Sequence, residues 1–315
     1  MSRTSRRDFL KSSATTACTL GLASTALAGS LEASAVAIKP VARGTPLPLG
    51  APLALKKGVL LDMLPEKMSF AERFMLAKNV GFDVVQAPTM PDQQTAEEIK
   101  QAADKAGIKI DSVMNMAHWE FPLSSSDPAA VEKSLAGMRI SLHNAKLWSS
   151  DVVLLVPGVV NPQTSYHDAW VRSQNEIRKL IALAAELKVV IAIEEVWNKF
   201  LLSPLEMATY IAEFRSPWIK AWFDVGNVLL YGYPQDWIRT LGKSIVKLHV
   251  KDFKREEDSY AWVNLGDGDV DWAAVRQALA DVGYTGSATV ELDGGDEAYL
   301  RDVSRRVDRL LLGRA

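Results

Sequence analysis

Val189-Val190-Ile191-Ala192-Ile193-Glu194 is a short apolar run that ends on an acid. A helical pattern over 204–214 follows it. Then Ile219-Lys220-Ala221-Trp222-Phe223-Asp224 repeats the design. Strand, helix and strand in this order form the unit in which neighbouring strands run parallel. The same alternation continues on both sides. Strands are expected at 59–64, 84–87, 109–115 and 151–156, and again at 245–250 and 287–292. Helices are expected at 69–80, 95–106, 128–148 and 168–187, then at 234–241, 272–282 and 297–311. Ser69 and Asp271 stand at cap positions, and Gly81 and Gly107 at stops. Eight strand–helix units over 58–315 predict an α/β protein, a (β/α)8 TIM barrel. An open doubly wound sheet fits less well. Leu61-Asp62-Met63-Leu64 is no glycine-rich phosphate turn after the first strand.

The segment before the barrel reads as an address. Ser5-Arg6-Arg7-Asp8-Phe9-Leu10-Lys11 matches the twin-arginine (Tat) export pattern. A weakly apolar stretch follows, too short and too polar for a stable membrane span. Ala26-Leu27-Ala28 supplies a cleavage site. Residues 1–28 are therefore expected to be a signal peptide and 29–57 an Ala/Pro-rich tether, with 58–315 the catalytic domain. Tat export machinery is the expected partner, and a periplasmic or secreted location the expected destination. That route carries folded proteins, so a metal could be loaded beforehand. Cleavage removes four basic residues (Arg3, Arg6, Arg7, Lys11) and one acid (Asp8), taking the net charge from −2 to −5. The single cysteine, Cys18, leaves too, which excludes a disulfide framework and cysteine-held metal cages. An acidic body offers no general field for nucleic acid. Oligomeric state is left open, a homo-oligomer included.

In such a barrel the chemistry sits at the C-terminal strand ends. Side-chain parity sets Val246, Leu248 and Val250 toward the helices, with Lys247, His249 and Lys251 inside. By the same count Glu194 and Glu291 face inward, and the sixth strand ends at Asp224. Four consecutive strands thus aim Glu194, Asp224, His249 and Glu291 at one mouth. Three carboxylates and an imidazole suit one divalent ion, Mn2+ first, with Mg2+, Co2+ or Zn2+ as alternatives. A bend at the strand end would exchange Glu195 for Glu194, so both stay open. His118 follows the third strand and could polarise a substrate oxygen. Asn227 is a candidate donor to substrate, and Trp119 and Trp197 candidate walls for a sugar ring. Lys251 joins this substrate-binding set. His167 reads as a helix cap and His143 as a surface or packing residue.

These residues carry a resemblance. Residues 112–123, Phe223-Asp224-Val225-Gly226-Asn227, His249-Val250-Lys251-Asp252 and Gly266-Asp267-Gly268-Asp269-Val270-Asp271-Trp272 resemble L-xylulose-5-phosphate 3-epimerases. Ile193-Glu194 and Val290-Glu291 are similar to the glutamate-bearing strands of that group and of D-tagatose 3-epimerases. Both belong to the xylose isomerase-like TIM barrel superfamily, in its sugar phosphate isomerase/epimerase branch. The resemblance implies one metal held by Glu194, Asp224, His249 and Glu291. It also implies catalysis by Glu194 and Glu291, which move a proton beside the carbonyl of a bound ketose through a metal-stabilised enediolate. Two departures stand out. Gln86 occupies a second-strand position where the family often has glutamate, and Asn227 stands where tagatose-type enzymes have histidine. An exported enzyme points to an unphosphorylated carbohydrate substrate. A lyase or hydratase acting on 3-keto-glycosides needs the same metal and base. A non-catalytic sugar-binding barrel is the reading from another class.

Overall fold

Eight parallel strands close on themselves in the order β1-β10-β7-β6-β5-β4-β3-β2. They are β1 (Lys56–Leu60), β2 (Val84–Pro88), β3 (Lys109–Met114), β4 (Val152–Leu155), β5 (Val190–Glu194), β6 (Ile219–Asp224), β7 (Ile245–Val250) and β10 (Ser287–Val290). This is the TIM barrel expected from the alternation. A computed structural model describes residues 38–48, 51–256 and 259–314. The expected signal peptide and Cys18 lie outside them. Among the described residues no helix is long and apolar enough to cross a membrane.

Local chemistry sets the helix ends. Ser69 and Glu72 form a reciprocal capping box before Phe70–Asn79. Asp92, Asp127 and Asp271 each accept a backbone N–H at the start of their helices. Gly107 ends Gln93–Ala106 at a φ of 64°, which glycine adopts without strain. The helix expected at 168–187 is two, Tyr166–Arg178 and Ile181–Leu187. Its cap is Ser165, and His167 sits exposed in the first turn instead.

The N-terminal boundary shifts. The first strand starts at Lys56, and 61–63 form a 3-10 turn instead of continuing it. Residues 38–48 and 51–55 lie along the barrel rather than hanging from it. Leu53 and Leu55 are buried in the core, and Leu53 N–H donates to Leu312 O at 3.3 Å. The side chains of Arg276 and Gln277 hold Ala51 O, Thr45 O and Leu47 N.

Inside the barrel three layers stack along the axis. At the N-terminal end Lys247 Nζ pairs with Asp111 at 2.7 Å and Asp151 at 3.2 Å. Val152, Leu154, Ala192 and Trp222 fill the middle. The chemical groups lie above them. Parity holds for His249 and Glu194 but not for Val246. A bulge opposite Ala221/Trp222 turns Val246 against the interior cluster. The β7 to β10 connection, expected as a loop, carries an antiparallel hairpin, β8 (Asp252–Arg255) and β9 (Tyr260–Val263).

Candidate metal centre

Four strand ends bring four side chains together. Glu194 closes β5, Asp224 closes β6, His249 is the penultimate residue of β7, and Glu291 follows β10. Register sets Asp224 and Thr289 on either side of His249, and Glu291 N–H donates to Val250 O at 3.2 Å. One donor atom from each of the four lies within 4.8 Å of all the others. His249 Nδ1 stands 2.8 Å from Glu194 Oε1, 3.5 Å from Glu291 Oε2 and 4.0 Å from Asp224 Oδ2. Glu194, Asp224 and His249 are buried, while the Glu291 side chain is 25% exposed.

Three carboxylates at this spacing repel one another and resist dehydration. Burial drives the Glu194 and Asp224 carboxyls above their ordinary range. Burial would also raise Glu291, but His249 and Lys251 outweigh it and hold it down to about 2. Burial would lower His249, and the surrounding carboxylates raise it instead. Lys251 Nζ provides a countercharge, 2.6 Å from Glu291 Oε2 and 3.1 Å from Asp224 Oδ2. Asp224 Oδ2 is buried and accepts no well-aligned hydrogen bond, its close polar neighbour being the Lys251 ammonium. Its Oδ1 is fixed by Gly226 and Asn227 N–H, both at 2.7 Å. An acid held by one oxygen, with the other turned toward two acids and an imidazole and met only by the Lys251 ammonium, fits a divalent cation.

Gln86 orients the imidazole. Its Oε1 lies 2.7 Å from His249 Nε2. An amide oxygen can only accept, so Nε2 carries the proton. Nδ1 is then the nitrogen that can offer a lone pair to a cation. The Gln86 Nε2 is buried and unpartnered. The position where the resemblance pointed to a missing acid thus has its own task.

The two adjacent glutamates point in different directions. Glu194 points into the cluster. Glu195 turns away, and its Oε1 accepts Asp224 N–H at 3.0 Å. Burial raises the Glu195 carboxyl well above its usual range. Asn227 has a structural task of its own. Its Nδ2 donates to Glu195 O at 2.9 Å, and it is buried. Trp197 Nε1 donates to Asn227 O at 2.8 Å, and its ring stacks on Trp262 at 4.8 Å rather than standing alone as a wall. Lys251 binds the acids of the cluster. His143 is exposed on its helix.

His118 sits in the short helix Ala117–Glu120, after β3, and is buried. Its Nδ1 accepts Val156 N–H at 3.1 Å, at the end of β4. Burial takes its pKa down to about 3, so the ring is neutral with its proton on Nε2. That Nε2–H has no partner. Trp119 packs edge-on against this ring at 4.4 Å and is 54% exposed.

Residues 74–309 match the family model described as the xylose isomerase-like TIM barrel. The chain belongs to this family. It is 26% identical over 249 residues to the L-ribulose-5-phosphate 3-epimerase UlaE of Escherichia coli O1:K1, covering 75% of this chain and 86% of that protein. Its fold matches a D-psicose 3-epimerase from Clostridium cellulolyticum H10, solved with D-tagatose. The TM-score is 0.68 at 18% identity, over 81% of this chain and 98% of that one. It also matches the 3-keto-D-glucoside 4-epimerase YcjR of Escherichia coli, with a TM-score of 0.69 at 15% identity and the same coverage.

Proposed function

We propose that this protein is a divalent-metal-dependent isomerase or epimerase of an unphosphorylated keto-sugar or related hydroxy-carbonyl compound, exported by the twin-arginine route. The observation that carries the reading is the convergence of Glu194, Asp224, His249 and Glu291 on one point at the barrel mouth. The epimerases similar to the chain support the reaction class. The twin-arginine motif supports export.

The four residues would hold the ion, with Mn2+ proposed first. When bound, a divalent ion acts as a Lewis acid on the carbonyl and hydroxyl oxygens of the sugar. The chain's residues do the rest. Glu194 and Glu291 project from β5 and β10, on different sides of the cluster. One takes the proton from the carbon beside the carbonyl, and the other returns a proton to the opposite face or to the neighbouring carbon. The resulting enediolate carries negative charge on oxygen, and the neutral His118 Nε2–H is an unspent donor for such an oxygen. Gln86, Glu195 and Asn227 keep the acids and the imidazole in place.

Proton exchange tests the reading. Mn2+-loaded protein incubated with D-fructose in D2O should incorporate deuterium at the carbon beside the carbonyl, seen by NMR. Glu194→Gln and Glu291→Gln should each abolish it. Aglycone release from a 3-keto-glycoside without exchange into free ketose would favour the lyase instead. Sugar binding with no exchange would favour the binding barrel. Export is tested by cell fractionation and N-terminal sequencing of the mature chain.

A further inference from the structure

A second concave region adjoins the metal centre without containing it. This cavity, of about 390 Å3, is bounded on its inner side by Lys251 and Glu291. Trp262, Asn264, Asp293 and Tyr299 form the rest of the wall that matters here. Its volume falls within the roughly 300–1,000 Å3 typical of small-molecule pockets. Glu194, Asp224 and His249 do not line it. A molecule filling this space therefore lies outside the reacting centre and touches that centre through Glu291, the most exposed of the four cluster residues.

The wall has the chemistry of a carbohydrate site. Trp262 is 44% exposed, an unusual state for a large aromatic ring. The ring is firmly backed. Trp197 stacks on it at 4.8 Å, Phe253 packs at 5.2 Å, and Lys251 Nζ lies over the ring 4.7 Å from its centroid. The hairpin presenting it is held by Asp252, whose carboxylate accepts from Phe253 N, Gly266 N, Val270 N and Trp272 Nε1. The part of this fixed ring that stays exposed beside Lys251 suits the apolar C–H groups of a sugar. The Asn264 amide, the Asp293 carboxylate and the Tyr299 hydroxyl suit its hydroxyl edge. Charge excludes the other obvious occupant. Glu291 and Asp293 are both acidic, and the cation of the wall, Lys251, is already engaged by Glu291 and Asp224. A phosphate would meet two carboxylates and no free countercharge on this wall.

We propose that this cavity is a subsite for a second, uncharged sugar unit. The preferred substrate is then a keto-sugar that carries a glycosyl group, in place of a free or phosphorylated ketose. The inference rests on the proposed keto-sugar reaction for its inner half and on the cavity for its outer half.

Calorimetric titration of the Mn2+-loaded protein tests it. The probes are D-fructose, D-fructose 6-phosphate and the glucosyl-fructoses maltulose, leucrose and isomaltulose, which differ in linkage. At least one disaccharide should bind about tenfold tighter than D-fructose, the factor of about 1.4 kcal/mol. The phosphate ester should bind no tighter than D-fructose. Trp262→Ala and Tyr299→Ala should each lower the disaccharide-to-fructose affinity ratio severalfold. Disaccharides that all bind no tighter than D-fructose would overturn the proposal, as would substitutions that leave the ratio untouched. Deuterium exchange keeps the two readings apart. Exchange into D-fructose with no disaccharide preference leaves the reaction standing and removes the subsite. A Trp262-dependent disaccharide preference without exchange does the reverse.

Discussion

Replacing Gln86 with leucine should strip the protein of much of its metal affinity while leaving it folded. Leucine nearly fills the volume of glutamine but cannot accept a hydrogen bond. His249 Nε2–H, now 2.7 Å from Gln86 Oε1, would be left buried and unpaired, at a cost of about 1–3 kcal/mol. The ring can escape that cost by moving its proton to Nδ1, where Glu194 Oε1 waits at 2.8 Å. The metal-free variant would thus settle into the tautomer whose Nδ1 cannot ligate. Loss of a partner that orients a metal-binding histidine typically lowers affinity about 10–100-fold, equal to about 1.4–2.7 kcal/mol. Isothermal titration with Mn2+ at pH 7.5 measures this, and circular dichroism checks the fold. Gln86→Glu keeps an acceptor for His249 Nε2 and should bind the ion more tightly than Gln86→Leu does. A leucine variant within twofold of the parent would refute the assignment of Gln86.

Three further outcomes follow from the same geometry. Asp224→Ala and His249→Ala should each purify without stoichiometric metal, and full occupancy in both by elemental analysis would remove the metal centre. His118 carries a pH-linked stability. Its folded pKa of about 3 lies below the unfolded value near 6.5, so its contribution is complete above pH 6.5 and is lost as pH falls toward 3. At pH 5 that loss is about 2 kcal/mol. Urea unfolding at pH 7.5 and 5.0 should show the parent losing about that much more than His118→Asn, and equal losses would contradict the assignment. Asp252→Ala strands four donors behind the hairpin and should cost about 3–5 kcal/mol in the same assay. A change under 1 kcal/mol would mean that the hairpin is held by other means.

The sequence showed the barrel and the four cluster residues for a common reason. Alternation along a strand is a period-two signal, and it survives wherever the strand stays regular. The inward positions of Glu194 and His249 follow from it. Where a strand bulges the signal breaks, as at Val246 opposite Ala221/Trp222. Gln86 was visible only as a polar residue ending an apolar strand, because its partner lies 163 residues away. Glu194 and Glu195 are adjacent carboxylates, and only the backbone direction after β5 separates their roles. The local task of Asn227 was not legible because its side chain donates to Glu195 O, a contact made only once the loop has turned. The hairpin at 252–263 was hidden by its charged, loop-like composition. Its anchoring acid, Asp252, gains meaning only when its four donors come together. The position of residues 38–48 and 51–55 was concealed in the same way, since proline and alanine also make a spacer.

The seam between β1 and β10 has a bearing on how the molecule comes into being. Lys56–Val59 pair with Ser287–Val290, and Leu53 hydrogen-bonds to Leu312. The first barrel strand to leave the ribosome must wait, with one edge bare, until the last barrel strand has been made. Contacts of such sequence separation close slowly, and a partial chain with an open edge invites misassembly. Biosynthesis therefore has a late checkpoint. The four cluster positions come together only after the last barrel strand, which delivers Glu291, has been threaded beside the first.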